Sequence, residues 1–262
     1  MSKEDAGIFE LLDWETYPYK DDTADRNATS ITYKRRFSTS NRGNYNAWYV
    51  PFDYNITEED LENFDFYKFH MISASSSSGN ANVNNVNTAY IHLQQITASG
   101  TKLRGNSPYV IVPKNTGEFT FTMEGDNLKL LKPNNNSAFQ MMSADFYYDF
   151  YGTYDSYGAS KAKEWFAMSS GKLSPNASAS AKVQQYRWVL KLTPRGENSD
   201  YSKISFGFIE DEEATGLSTI SSDGDNQIEG IYSVNGSKQD NLEKGINIIR
   251  YKNGTTKKVI IK

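Results

Sequence analysis

Apolar and polar residues alternate with a period of two along most of the chain, which predicts β-strands rather than helices. In residues 31–37, for example, Ile31, Tyr33 and Phe37 would share one face of a strand, with polar residues on the other. No regular alternation of strands with helices is visible. We therefore predict an all-β fold, an antiparallel, jelly-roll-like β-sandwich of about ten short strands.

The predicted strands are spaced irregularly. They cover residues 31–37, 45–54, 64–72, 89–96, 108–113, 118–123, 144–151, 165–168, 185–192 and 203–208. Pro51 interrupts the second strand, because proline cannot donate to a strand ladder. One helical turn is predicted after Thr57, whose hydroxyl can cap it while Asp60 completes a capping box. On alternation, His92 would point outward.

Polar stretches divide the chain into four parts. We predict a leader or linker in residues 1–27, a β-sandwich domain in residues 28–210 and a hinge in residues 211–227. Residues 228–262 are predicted to form a small three-stranded C-terminal β appendage. Residues 73–88 are rich in Ser, Asn and Gly, which predicts a long loop within the sandwich.

Charge and composition narrow the classes of function. The 262 residues include 28 basic and 32 acidic side chains, a net charge of −4, which argues against nucleic acid as the main partner. Residues 228–262 carry seven Lys or Arg against three Asp or Glu, a net of +4, which leaves −8 for the first 227 residues. The absence of cysteine excludes disulfides and thiolate chemistry. No apolar run is long enough to span a membrane.

Signals of catalysis are weak. The only histidines, His70 and His92, lie in predicted strands, and neither has a metal-binding neighbour at ligand spacing. No nucleophile elbow, phosphate-binding loop or zinc-protease motif occurs. The Asp-Gly-Asp-Asn stretch from Asp223 departs from a calcium loop, because Val234 stands where a bidentate Glu is needed. We predict no catalytic residues, no metal site and no cofactor.

The most distinctive polar pattern lies in residues 144–157, which read A-D-F-Y-Y-D-F-Y-G-T-Y-D-S-Y. If Phe146, Tyr148 and Phe150 face the core, the opposite face is a row of carboxylates and tyrosines. The predicted ligand-binding residues are Asp145, Tyr147, Asp149, Tyr151, Tyr154 and Tyr157. Tyrosine rings stack on the C–H faces of sugars, and carboxylates accept hydrogen bonds from sugar hydroxyls. Contact with a glycan, contact with a protein and a purely structural role all remain open.

The C-terminal part contains two Asn-Gly pairs, at residues 235–236 and 253–254, which predict hairpin turns. A two-residue turn at the second pair would place Arg250 opposite Lys257, at a cost of up to about 1 kcal/mol. A nearby carboxylate or an acidic partner would relieve this repulsion. The same register would give one apolar face, formed by Ile246, Ile248, Val259 and Ile261.

This C-terminal part also matches a sorting pattern. The matching positions are Ile231, Tyr232, Asn235, Gly236, Lys244, Gly245, Lys258, Val259 and Lys262. At these positions the chain resembles the C-terminal sorting domains of proteins exported by the type IX secretion route of some Gram-negative bacteria. The resemblance implies a location outside the cell or on the outer-membrane surface, with the secretion machinery as partner. The implied signal residues are Lys244, Gly245, Lys258, Val259 and Lys262.

A second resemblance covers residues 30–210. It consists of Lys-Arg-Arg-Phe from Lys34, Trp48 followed by Pro-Phe-Asp, and the segments around Pro108 and Trp165. In this order the segments resemble uncharacterised, adhesin-like surface proteins of the same bacteria. The resemblance implies an architecture and a location, and no activity. Because the N-terminus has no signal-peptide core, we expect the chain to be the C-terminal piece of a longer precursor.

These observations predict a non-enzymatic extracellular or cell-surface β-sandwich module for adhesion or display, with a C-terminal secretion and attachment signal. The alternative is a carbohydrate-binding or glycan-utilisation accessory module. A hydrolase of unfamiliar type is a third hypothesis. The expected partners are the secretion machinery and either a glycan or a protein of a host or neighbouring cell.

Overall fold

The computed structural model describes residues 6–75, 88–143, 146–154, 157–158, 165–175, 182–195, 204–211, 228–233, 235–239, 242–243, 245–251 and 256–261. Over these residues the fold is all-β and built mainly from antiparallel sheets, which confirms the predicted fold class. The described elements are the short helix α1 (Glu58–Asn63) and the strands β1 (Ile8–Leu12), β2 (Arg26–Phe37), β3 (Asn46–Trp48), β4 (Tyr54–Asn55), β5 (Phe64–Ser75), β6 (Thr88–Ile96), β7 (Lys102–Leu103), β8 (Tyr109–Pro113), β9 (Gly117–Leu130), β10 (Phe139–Met142), β11 (Phe146–Thr153), β12 (Tyr157–Gly158), β13 (Trp165–Ser169), β14 (Lys172–Pro175), β15 (Lys182–Val183), β16 (Arg187–Pro194), β17 (Ser205–Asp211), β18 (Ile228–Ser233), β19 (Lys238–Gln239), β20 (Gly245–Tyr251) and β21 (Thr256–Ile261).

Three sheets form the main layers. The nine-stranded sheet has the order β19-β18-β20-β21-β17-β6-β5-β8-β3, and the others have the orders β1-β2-β9 and β10-β11-β16-β13-β14. Side chains on β5 alternate between the two faces of the large sheet. Phe66 packs with Trp48 on the side of the three-stranded sheet, while Phe69 packs on Phe150 of the five-stranded sheet with ring centroids 4.4 Å apart. The nine-stranded sheet is therefore the middle layer.

The core between these layers is aromatic. Trp48 lies edge-on to Phe121 across the first interface, and Trp188 lies edge-on to Phe69 across the second. The indole N–H of Trp188 donates to the backbone oxygen of Tyr109 at 2.7 Å, so the buried indole donor is satisfied. Aromatic pairs of this kind are each worth about 0.5–1.5 kcal/mol beyond the area they bury.

The capping box predicted at Thr57 is confirmed. The backbone N–H of Asp60 donates to the Thr57 hydroxyl at 3.0 Å, and the N–H of Thr57 donates to the Asp60 carboxylate at 2.8 Å. The Tyr54 hydroxyl also donates to this carboxylate, at 2.6 Å. Asp60 therefore starts a helix and anchors a buried tyrosine.

The N-terminal segment belongs to the fold. β1 pairs in parallel with β2, with Ile8 opposite Ser30, and Phe9, Leu11 and Tyr17 are buried in the core. The prediction of a linker over residues 1–27 is therefore wrong for residues 6–27. The short Ile-Phe-Glu-Leu-Leu run alternates like a strand and buries its apolar side against the sandwich.

His92 is buried, so the prediction that it points outward is wrong. Its Nε2 lies 2.8 Å from the Ser73 hydroxyl. Strand register places Ile209 beside His92, and Ile209 forms a second, smaller buried apolar cluster with Ile249. Alternation along a strand does not distinguish its faces when both are buried.

The C-terminal strands extend the middle layer. β21 pairs with β17 at Ile260 and Glu210, and β20 and β18 continue the sheet outward. β17 extends to Asp211, the first residue of the predicted hinge, and the Tyr45 hydroxyl donates to the neighbouring Glu210 carboxylate at 2.7 Å. Residues 212–227 of the predicted hinge, including Asp223, lie outside the described residues, as do residues 76–87 of the predicted loop.

The register of the last hairpin differs from the prediction by one residue. Arg250 pairs with Thr256 and Ile249 with Lys257, whereas the predicted register pairs Arg250 with Lys257. The predicted turn at Asn253-Gly254 itself lies outside the described residues. Because a one-residue slip exchanges the two faces of a strand, Ile249 is buried whereas Ile246 is 39% exposed. The slip also separates Arg250 from Lys257, and Arg250 instead pairs with the Glu229 carboxylate at 2.9 Å.

The described sorting-signal residues lie on both strands of this hairpin. Gly245 opens β20 opposite Ile261, and Val259 is described only by its backbone pairing with Asn247. Lys258 is exposed on β21. Lys244 and Lys262 lie outside the described residues.

Candidate functional site

The alternation in β11 separates a core side from a solvent side. Phe146, Tyr148 and Phe150 are buried in the main core, as their pattern predicts. Tyr147 and Tyr151 are partly exposed on the other side of the strand. The part of the tyrosine row that lies on β11 therefore faces away from the core.

Strand register brings residues from distant parts of the sequence beside this row. Asp149 pairs with Gln140 of β10 and with Lys191 of β16, and Lys191 pairs with Trp165 of β13. Directly paired residues project from the same face of a sheet. We call this face the outer face, and it comprises Gln140, Met142, Tyr147, Asp149, Tyr151, Trp165, Ala167, Lys191, Thr193 and the buried Val189.

The outer face presents aromatic rings beside cations. The rings of Tyr151 and Trp165 lie 5.2 Å apart with a 56° tilt, and the Lys191 ammonium lies 5.7 Å from the centre of the Trp165 ring. The guanidinium of Arg195, just beyond β16, lies 5.2 Å from the Tyr147 ring. These contacts suit flat ligands that combine an apolar face with polar edges.

Asp149 differs from its prediction as an outward acceptor. It is only 8% exposed, and its Oδ1 accepts hydrogen bonds from the Ser137 hydroxyl at 2.9 Å and the Gln140 amide at 2.6 Å. The unpredicted edge strand β10 supplies this cover. Asp149 thus fixes the side chain of Gln140, whose exposed amide is the group a ligand would meet.

The other predicted ligand-binding residues do not join the outer face. Tyr154 is buried, and its hydroxyl donates to the Asn106 side chain. Its ring packs on the rings of Tyr17 and Tyr49, so the prediction that it is available to a ligand is wrong. Tyr157 is described only by its backbone in β12, and Asp145 lies outside the described residues.

A buried polar cluster, which the sequence did not indicate, joins the N-terminal segment to β16. Arg187 donates to both carboxylate oxygens of Asp13, at 2.6 and 2.8 Å, and the Tyr33 hydroxyl donates to the same carboxylate at 2.5 Å. Nearby Arg35 is also buried and donates to the backbone oxygen of Ala47 at 2.8 Å. The cluster holds together segments 174 residues apart in the sequence.

This cluster shifts the pKa values of its members. Burial by itself raises the pKa of Asp13, but the charge and hydrogen bonds of Arg187, aided by Arg35 and Tyr33, outweigh it and lower the pKa overall. Burial, with repulsion from Arg187, lowers the pKa of Arg35 to about 10. Shifted pKa values can mark active sites, but structural ion pairs produce them too. Here the groups bond to one another inside the core, which favours a structural role.

Two carboxylates of the nine-stranded sheet are bound by neighbouring side chains. Asp65 pairs with Lys114 at 3.0 Å and accepts from the Gln95 amide at 3.0 Å, while Glu210 accepts from Tyr45. No group of three or more metal-binding side chains converges within the part of the chain that the structure describes. Among the same residues, no helix has the length and hydrophobicity needed to cross a membrane.

Comparison of the chain with protein-family models, curated proteins and solved structures finds no match. Of the surfaces described, the outer face combines partly exposed aromatic rings with cations and an exposed amide. It can stack on a ligand, donate hydrogen bonds to it and attract negative charge.

Proposed function

We propose that this protein is a non-enzymatic surface module for adhesion or display, whose outer face binds carbohydrate. The observation that carries the proposal is the pair of partly exposed rings of Tyr151 and Trp165, with Lys191 beside them and Gln140 on the same row. Such a face holds a sugar by stacking on its C–H surface and by hydrogen bonds to its hydroxyls.

The layout of the face favours an extended oligosaccharide over a single sugar. Tyr147 and Tyr151 are four residues apart on one strand, which corresponds to roughly 13 Å. Both lie on a sheet surface, so they can contact different units of one chain. Tyrosine and tryptophan also lose little conformational entropy when they bind, because each has only two side-chain torsions.

A glycan screen with ring deletions tests this function. We expect the purified protein to bind glycans on an array, and Tyr151→Ala and Trp165→Ala each to weaken binding roughly two- to tenfold, corresponding to about 0.5–1.5 kcal/mol per ring. Calorimetry with one bound oligosaccharide provides the affinities.

Trp14→Ala is the matched control, since Trp14 is 40% exposed but lies beside β2, away from the outer face. It should leave binding unchanged. If no glycan on the array binds, the carbohydrate function is overturned and contact with a protein is the alternative. The same conclusion follows if neither ring deletion changes the affinity for the bound glycan.

We also propose that residues 228–262 direct the protein to the outer surface through the secretion machinery. The proposal is supported by the sequence resemblance and by the exposure of Lys258 on β21. A secreted reporter fused to residues 215–262 should reach the surface or medium in a cell with type IX secretion, while a reporter without them stays in the periplasm. Equal retention of both reporters would contradict the sorting role.

A further inference from the structure

Among the described residues, the outer face and its surroundings carry more positive than negative charge, although the protein is acidic. Lys191 lies in the central row, Lys172 lies on the same side of β14 opposite Ser169, and Arg195 lies over Tyr147. Among the described residues of this face, Asp149 is the acidic member. By contrast, the first 227 residues have a net charge of −8.

Asp149 compensates for only part of this positive charge. It is buried and takes its hydrogen bonds from Ser137 and Gln140, whereas the Lys191 ammonium is directed over the Trp165 ring. Arg195 donates to the backbone oxygen of Ser143 at 2.6 Å, and no carboxylate among the described residues pairs with it. The cations of the outer face are thus held by rings and a carbonyl.

The exposed side of the three-stranded sheet shows the opposite arrangement. Arg36 stacks on Trp14 at 3.9 Å, yet it also pairs with Glu118 at 2.9 Å. Its neighbour Lys34 pairs with Glu10 at 2.5 Å. Cations next to aromatic rings therefore occur on both surfaces, but those of the three-stranded sheet are matched by carboxylates.

We infer that the ligand of the outer face is an acidic carbohydrate, a glycan that carries carboxylate or sulfate groups. The inference rests on the proposed carbohydrate function and specifies its substrate class. A sugar ring stacks on Tyr151 and Trp165 with its anionic group at Lys191, and a second unit meets Tyr147 and Arg195. Lys191 and Arg195 are four residues apart, so the two acidic groups lie roughly 13 Å from each other.

The acidic body of the protein sharpens this specificity. The net negative charge of residues 1–227 repels anionic polymers in general, so within that part of the chain attraction is favoured at the outer face. Neutral glycans gain the stacking contacts without the ionic ones. An acidic glycan whose rings cannot stack on Trp165 is repelled by the negative charge of the protein and gains no stacking contact in return.

The test compares an acidic glycan with its neutral ester on the same backbone and adds a sulfated sugar as a second kind of anion. We would measure the affinity of the full chain for hexagalacturonate, for its neutral methyl ester and for a sulfated hexasaccharide. At least one acidic oligosaccharide should bind ten times more tightly than the neutral ester, and the difference should shrink as salt is added. Tight binding of hexagalacturonate alone or of the sulfated sugar alone identifies which anionic group is recognised.

Charge variants locate the effect. Lys191→Gln should lower the preference, which is the ratio of the affinity for the acidic sugar to that for the neutral ester, at least fivefold. Arg195→Gln, at an exposed position, provides a second variant if the first does not fold. Arg36→Gln is the matched control and should leave both affinities unchanged.

Each outcome separates this inference from the proposed function. If neutral and acidic sugars bind equally, the acidic specificity is overturned while the carbohydrate function survives. If acidic sugars bind but neither variant changes the preference, the anionic group is bound elsewhere and the inference fails. If none of these sugars binds and the glycan array is also empty, the carbohydrate function itself is overturned, and the inference with it.

Discussion

Asp13→Asn is expected to lower the free energy of unfolding by about 3–5 kcal/mol, because it removes one partner of a buried ion pair. The carboxylate accepts both guanidinium hydrogen bonds of Arg187 and the hydroxyl hydrogen of Tyr33. In the variant, the guanidinium groups of Arg187 and Arg35 no longer have the negative charge of Asp13 beside them inside the protein. Urea denaturation at neutral pH measures the loss.

Glu10→Gln is the matched control, since Glu10 lies on the adjoining strand β1 and pairs with Lys34 at the surface. Exposed pairs contribute about 0–1 kcal/mol, so this variant should unfold almost like the native protein. Equal losses for the two variants would show that the Asp13 cluster does not hold the N-terminal segment.

The contribution of Asp13 depends on pH in one direction. Its pKa is lowered in the folded state, so its stabilisation is fully present above the unfolded value of about 3.9. The stabilisation is lost as the pH falls through the lower folded-state value. The gap in unfolding free energy between the native protein and Asp13→Asn should therefore be constant near neutrality and narrow below about pH 4. A gap that widens in acid would contradict the assigned shift.

Gly152→Ala should destabilise the protein by at least about 3 kcal/mol, at or beyond the upper end of typical overpacking costs. A Cβ at residue 152 would lie 1.8 Å from Cε1 of Tyr49 and 2.1 Å from its Cζ. The Tyr49 ring is fully buried and packs on Tyr154, so the ring has little room to move. Thermal and urea unfolding provide the measurement.

A second background shows whether the ring is the cause. In a Tyr49→Ala protein, which is itself less stable, the added methyl group meets a cavity instead of a ring. Gly152→Ala should then cost much less than in the native background, because neighbouring substitutions are not additive. The same cost in both backgrounds would contradict a clash with Tyr49.

Local alternation was sufficient to predict most of the fold. Ile31, Tyr33 and Phe121 are buried as their strands predict, and Thr57 caps the helix. Alternation along one strand could not show which of its residues are buried by segments that are distant in the sequence. His92 is buried beside Ile209, which belongs to the second apolar cluster. The strand β1 was not predicted, because it enters the core by pairing with β2, a strand that lies further along the sequence.

The outer face was predicted only in part for the same reason. The pattern in residues 146–151 correctly indicated that Tyr147 and Tyr151 face away from the core. Trp165 and Lys191 join them through strand register, which the sequence of one strand does not contain. The hydrogen bonds that bury Asp149 come from β10 and the loop before it, and neither was predicted.

The most direct test of the outer face uses the four tryptophans as reporters in an NMR titration. Trp48 and Trp188 are buried, Trp14 lies beside β2, and Trp165 lies on the outer face. Their indole N–H signals are assigned by single substitution and followed while a bound oligosaccharide is added. If the outer face binds carbohydrate, the signal of Trp165 shifts with saturation and that of Trp14 does not. A Trp165 signal that stays fixed while the oligosaccharide binds would contradict the proposed site.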